Sequence, residues 1–121
     1  MPSVKRLADK YSTCADFILV YLEEAHASDE WAIYQLDNDI PQHTSLQERL
    51  SVANHFQHDF CAGSQIQILV DSMSNKFNRE YASWPFRFWV VEHDRGDKAV
   101  VGFTAMLAQS CYRLEDLEEY L

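Results

Sequence analysis

Asp16-Phe17-Ile18-Leu19-Val20-Tyr21-Leu22 is a nearly continuous apolar run closed by two acids, Glu23 and Glu24. A run without polar alternation suits a strand covered on both faces, as in a parallel sheet. Upstream, Val4, Leu7, Ala8 and Tyr11 recur at helical spacing behind Pro2, whose missing N–H costs nothing in a first turn. The spacing predicts a short helix over 3–11. Downstream, 25–43 is irregular and carries Trp31, Tyr34, Asp37, Asn38, Asp39 and Pro41. A long loop inside a compact domain is more often functional than idle.

The next element announces its own start. Thr44 to Gln47, or Ser45 to Glu48, reads as a capping box, and Leu46, Leu50, Ala53, Phe56 and Phe60 trace one apolar face. This predicts a helix over 45–60, with Gly63 just past its end. Ile66 to Val70 reads as a strand ending at Asp71, and a short helix is expected near 75–82. Pro85 precedes the apolar run Phe86 to Val91, and His93-Asp94-Arg95-Gly96-Asp97 reads as a hairpin turn into Ala99 to Thr104. An acidic helix near 112–121 closes the chain, with Leu114, Leu117 and Leu121 facing inward. The order is α/β: parallel strands need crossovers, and a final antiparallel hairpin with a closing helix marks the thioredoxin-like group.

Composition narrows the class. The chain has 121 residues, 47% hydrophobic and 13% aromatic, which suits one domain able to bury a core. A domain of this size hides somewhat under ~70% of its unfolded surface. With 19 acids against 10 bases the net charge is −9, which argues against nucleic-acid binding and weakens any case for an anionic membrane surface. Cys14, Cys61 and Cys111 are widely separated, form no CxxC, and read as reduced thiols rather than a disulfide framework or zinc site. No apolar run approaches the length of a membrane span, and the N-terminus lacks a signal-peptide pattern, so the expected location is cytoplasmic or otherwise intracellular. His55 and His58 fall three apart on a helix without trustworthy partners, and no metal site is expected.

The stretch Ala15 to Trp31, with its strand ending in Tyr21 and then Leu22-Glu23-Glu24-Ala25-His26-Ala27-Ser28-Asp29-Glu30-Trp31, resembles the signature of the iodothyronine deiodinases. The likeness continues through Ile40-Pro41-Gln42-His43 and Leu46-Gln47-Glu48-Arg49-Leu50, then Val70-Asp71-Ser72-Met73-Ser74-Asn75 and Tyr81-Ala82-Ser83-Trp84-Pro85-Phe86-Arg87. It spans about residues 2–92. The resemblance implies a thioredoxin-like, peroxiredoxin-related sheet with flanking helices in a single domain. It also implies a selenocysteine or thiol oxidoreductase that removes iodine reductively from thyroid-hormone-like iodinated phenols. No cofactor is implied beyond a thiol reductant as co-substrate.

Three departures qualify the expectation. The family's selenocysteine or cysteine comes after a strand that precedes the first helix, so the nucleophile is expected a few residues upstream of Met1, and the central strand of the sheet is expected to be missing from this chain. Glu30 stands where the family has Gly. The family's Gly-rich loop with Gly-Pro and a hormone-binding Arg has no counterpart in Thr104 to Cys111, where Leu107 falls near the Arg position. Loss of a central strand would orphan buried backbone groups at ~1–3 kcal/mol each. The sum, on the order of 10 kcal/mol, rivals the ~5–15 kcal/mol holding a domain together. Such a chain is expected to be marginal alone, to close the gap by rearrangement, or to associate through open edges. Family members often carry an upstream membrane anchor and act as homodimers, which the resemblance extends to this chain.

Reductive dehalogenation needs a low-pKa chalcogen to accept the halogen and a proton for the carbon that loses it. A histidine backed by an acid or a phenol supplies that proton near working pH. By the resemblance Tyr21, Glu24 and His26 form the catalytic relay, at the strand end where open α/β sheets place ligands. His43, Trp31 and Pro85 line the substrate cleft, Pro85 at the position of the cis-proline of thioredoxin folds. Each residue also has a plainer role: His26 as a strand-end histidine bonded to backbone, Tyr21 as a core aromatic, Glu24 as a solvated acid, His43 as the flank of the capped helix, and Trp31 as core or cleft wall. Arg87 reads as structural, paired with an acid. Two other readings stay open: a peroxidase-like thiol oxidoreductase of the same fold, and a non-catalytic thioredoxin-like binding domain.

Overall fold

The computed structural model describes residues 2–33, 39–93, 99–106 and 114–121. The elements come in the expected order: α1 (Pro2–Lys10), β1 (Ile18–Tyr21), α2 (Leu46–Phe60), β2 (Gln67–Val70), α3 (Lys76–Tyr81), β3 (Arg87–His93), β4 (Ala99–Met106) and α4 (Leu114–Tyr120). β1 and β2 pair in parallel from Ile18↔Gln67 to Tyr21↔Val70, with α2 in the crossover. β3 and β4 form a separate antiparallel hairpin with a register shift between Val90 and Val91. The chain is thus a mixed α/β protein with two small sheets. Tyr34, Asp37, Asn38, the hairpin turn after His93, Leu107 and Cys111 lie outside the described residues.

The caps act as the sequence predicts. Ser45 Oγ accepts the Glu48 N–H at 3.2 Å, and the Glu48 carboxylate accepts the Thr44 N–H at 2.7 Å and hydroxyl at 2.9 Å. Gly63 takes the left-handed φ of 72° past the helix end, a conformation that glycine adopts without a Cβ clash. The Trp84–Pro85 peptide bond is cis.

Two expectations about burial fail. The run at 16–22 is covered on one face only. Leu19 and Ile68 join Val4, Ala8, Phe56, Cys61 and Ile66 in the core, while on the opposite face Ile18 is 56% and Leu69 53% exposed. A two-stranded sheet with helices on one side leaves the other side open, and the core is correspondingly smaller than the composition allows. On α2, Leu46, Leu50 and Phe60 are exposed, and the buried positions are Ala53 and Arg49. α4 meets the expectation: Leu117 is buried, and Glu118 pairs with Lys10 of α1 at 2.6 Å.

Arg49 is only 2% exposed, yet its hydrogen bonds run to neutral oxygens. Its Nη1 donates to the Asp71 carbonyl at 3.2 Å, the Ser72 carbonyl at 2.9 Å and the Asn75 Oδ1 at 3.0 Å. These are the groups left over where β2 stops and α3 has yet to begin. The Asp71 carboxylate, 4% exposed, works on the other side of the same turn. It accepts N–H bonds from Ser72 at 2.7 Å and from Phe77 and Asn78 at 2.9 Å each, so it caps α3. Removing the guanidinium leaves one buried and two part-buried acceptors unpaired, at up to ~1–3 kcal/mol each. Arg49→Met should therefore lower the urea midpoint, with m unchanged, by a stability loss on the order of 3 kcal/mol or more; a midpoint equal to that of the parent would show that the turn holds without it.

Candidate active site

The parallel register brings two chain exits together. The Asp71 N–H donates to the Tyr21 carbonyl at 2.9 Å, so β1 and β2 leave the sheet side by side, and the two acids after β1 diverge. Glu23 turns to α3, accepting from Asn75 Nδ2 at 2.6 Å and Asn78 Nδ2 at 3.3 Å. Glu24 turns to the segment before α2. Tyr21 Oη donates to Glu24 Oε1, and the same oxygen lies 4.0 Å from His43 Nε2. The rings of Tyr21 and His43 are 5.9 Å apart, with Phe56 of α2 against Tyr21 at 6.0 Å.

His43 is 6% exposed, and neither ring nitrogen has a hydrogen-bond partner among the described residues. Most buried polar groups in folded proteins are paired, so an orphaned imidazole calls for a functional explanation. Burial pushes its pKa below the ordinary histidine value, against the opposing pull of Glu24; Arg49 lowers it further and Glu48 raises it. Burial, reinforced by the bond to Glu24, pushes the Tyr21 phenol far above its ordinary value, so it stays protonated. A hollow of about 180 Å³ beside His43 is lined also by Pro41, Gln42, Glu48, Ser51 and Val52.

The six expected site residues fall into three groups. Tyr21, Glu24 and His43 form one. His26 and Trp31 form a second: His26 Nδ1 lies 3.2 Å from the Trp31 carbonyl, and the rings meet edge-on at 5.0 Å. A carbonyl only accepts, which makes Nδ1 the protonated nitrogen and leaves Nε2 to accept in the neutral ring. Trp31 itself is 66% exposed. Pro85 belongs to the third group, where the Trp84 N–H donates to Asn78 Oδ1 at 2.8 Å and Asn78 in turn reaches Glu23. Arg87 does not take the expected acid: among the described residues it donates to the Tyr81 carbonyl at 3.3 Å and lies over the Trp89 ring at 5.6 Å.

Of the cysteines, Cys61 is buried beside Ala8 and Ile66, and burial pushes its thiol up. Cys14 is exposed and within 3.5 Å of the Tyr11 carbonyl. Both precede the strands they adjoin, at the opposite end of the sheet from Glu24. Among the described residues no cluster of three or more His, Cys, Asp or Glu could hold a metal ion, and no helix is long and apolar enough to cross a membrane. Arg49 and Asp71 escape a reading by residue type. The signal for Arg49 is its spacing, four and seven positions ahead of Ala53 and Phe56 on the inward stripe of α2.

A polar, part-buried cluster at the carboxyl ends of parallel strands is the arrangement of an α/β protein with a ligand or catalytic site at its sheet edge. Comparison with known proteins gives the family: the iodothyronine deiodinase family model matches residues 1–114, and the chain belongs to that family. A thyroxine 5-deiodinase of Sus scrofa is 34% identical over 92 residues, 76% of this chain and 29% of that protein. A type I iodothyronine deiodinase of Xenopus laevis is 32% identical over 90 residues, 74% of this chain and 34% of that protein. A thyroxine 5-deiodinase of Sparus aurata is 31% identical over 121 residues, all of this chain and 42% of that protein. The chain spans less than half the length of these relatives.

The buried histidine has a consequence for stability. Its folded pKa is lowered, so below the ordinary value near 6.5 the unfolded chain binds a proton that the folded chain refuses. The corresponding stability is present above pH 6.5 and is lost as pH falls through the lowered folded value. Chemical denaturation between pH 7.5 and 5 should show this slope, and His43→Gln should reduce it; equal slopes in both proteins would contradict it.

Proposed function

We propose that this chain is the greater part of a single thioredoxin-like domain that carries out reductive deiodination of an iodinated phenol, with a selenol or thiolate supplied by a strand that precedes α1. In this reading the absent strand lies centrally, between β1 and β3. The two separate small sheets, β1-β2 and β3-β4, support that placement, since a strand between them would pair with an edge of each. Open edges of this kind also support association as a homodimer.

The observation that carries the reading is the buried, unpartnered His43 set 4.0 Å from the Glu24 oxygen that Tyr21 holds. The chalcogenolate takes the iodine, the C–I bond breaks, and the ring carbon receives a proton. Two equivalents of thiol then release iodide and the reduced chalcogenolate, leaving a disulfide, so the net change is aryl iodide and two thiols to arene, disulfide, iodide and a proton. His43 delivers the proton from the minor imidazolium form, which Glu24 stabilises against the cost of burial, and Tyr21 orients Glu24. His26, with Nδ1 committed to the Trp31 carbonyl, has Nε2 left for the second histidine role in the relay. The hollow beside His43 is smaller than the ~300–1,000 Å³ that encloses a drug-sized ligand, and suits one ring of a larger substrate.

The test uses the chain extended upstream through its nucleophile, assayed for iodide release from an iodinated phenol with a dithiol. Iodide release is expected, with kcat lowered roughly 10²–10⁴-fold in His43→Gln, the range of a lost general acid. Tyr21→Phe should cost less than His43→Gln. Hydroperoxide reduction without iodide release would favour the peroxidase-like enzyme, and binding without either turnover would favour a binding domain.

A further inference from the structure

Gln42 precedes His43 in the segment that crosses behind the β1 exit. Its side-chain amide treats Glu24 as a neighbouring strand would. Gln42 Oε1 accepts the Glu24 N–H at 3.1 Å and Gln42 Nε2 donates to the Glu24 carbonyl at 3.0 Å. The second Nε2 proton goes to Glu30 Oε2 at 3.2 Å, and the Gln42 backbone N–H donates to Asp29 Oδ1 at 2.8 Å. A flipped amide would set its oxygen against a carbonyl and a carboxylate and its NH2 against an N–H, so the Glu24 backbone and Glu30 together select a single orientation. Glu30 stands where the resemblance places Gly, which has no side chain to make this bond.

We propose that Gln42 is the positioning residue of the Tyr21–Glu24–His43 group, and that Glu30 locks the amide which does the positioning. By gripping both backbone groups of Glu24, the amide fixes where that carboxylate points, and His43, one residue on, is set against it. Each bond involved is part-buried or charge-assisted, the setting in which a hydrogen bond orients most strongly. The inference rests on reading Tyr21, Glu24 and His43 as the acid relay, but its geometry is tested without turnover.

The experiment observes the 121-residue protein by NMR, reading the Glu24 amide exchange rate and the His43 titration midpoint. Tyr21, Glu24, Glu48 and Arg49 are the charged or titratable groups that face this histidine. Gln42→Leu should speed Glu24 amide exchange roughly ten-fold or more, as the local opening energy falls. The His43 midpoint should rise toward the ordinary histidine value as water reaches the ring. Glu30→Gly removes the accepting carboxylate and frees the loop backbone, and should speed the same amide by a smaller factor, while Glu30→Gln, whose carbonyl can accept the same bond, should restore it. Parent values in both Gln42→Leu and Glu30→Gly, or a Glu24 amide that already exchanges freely in the parent, would overturn the proposal. The relay reading can fail in the iodide assay while this clamp stands, because no readout here involves substrate.

Discussion

The parallel pairing of β1 with β2 is the constraint on which the rest of the structure depends. Its register sets Tyr21 opposite Val70, and the bond from the Asp71 N–H to the Tyr21 carbonyl carries the alignment one step past the sheet. Both strands therefore end together, and each gives way to polar residues: Glu23 and Glu24 after β1, Asp71 and Ser72 after β2. A slip of one residue would exchange the faces of Leu19 and Ile18 and turn Tyr21 away from α2. The site is a consequence of register before it is a consequence of loop conformation.

Polar burial at this edge is extensive for so small a core. Arg49 supplies donors to the carbonyls where β2 ends, Asp71 supplies acceptors to the N–H groups where α3 begins, and Glu23 closes the group through Asn75 and Asn78. A buried cation without a direct carboxylate partner among the described residues is tolerated because each oxygen it meets would otherwise be unpaired. This network ties the ends of β1 and β2 to α3 beside Tyr21, Glu24 and His43, whose ring nitrogens have no hydrogen-bond partner among the described residues. The far face of the sheet, at Ile18 and Leu69, is left open.

Much of this was legible in the residues. The capping box at Ser45 and Glu48, the apolar runs at 16–22 and 66–70, and the closing acidic helix have local causes, and they appear where the patterns place them. Burial was less legible, because coverage of a strand depends on elements that local patterns do not report. Ile18 and Leu69 have the composition of a doubly covered strand and are nonetheless exposed. The motif around Glu24 and His26 pairs those two residues in sequence, yet the histidine 4.0 Å from the Glu24 carboxylate is His43, next to Gln42, whose amide bonds both backbone groups of Glu24. Arg49 lies within a resemblance motif, but its buried role shows in the sequence only as its place on the helix stripe. Long-range hydrogen bonds of this kind are chosen by the assembled backbone, and pairwise spacing in the chain does not encode them.

The acid relay proposed for Tyr21, Glu24 and His43 needs a chalcogen nucleophile, which we place ahead of α1. The most direct measurement is the transcript sequence immediately 5′ of the Met1 codon, read in frame. A UGA or cysteine codon is predicted a few positions upstream, after codons for an apolar strand ending in threonine. A stop codon with no strand-coding sequence before it would contradict this placement and leave a scaffold whose acid relay has no nucleophile to serve.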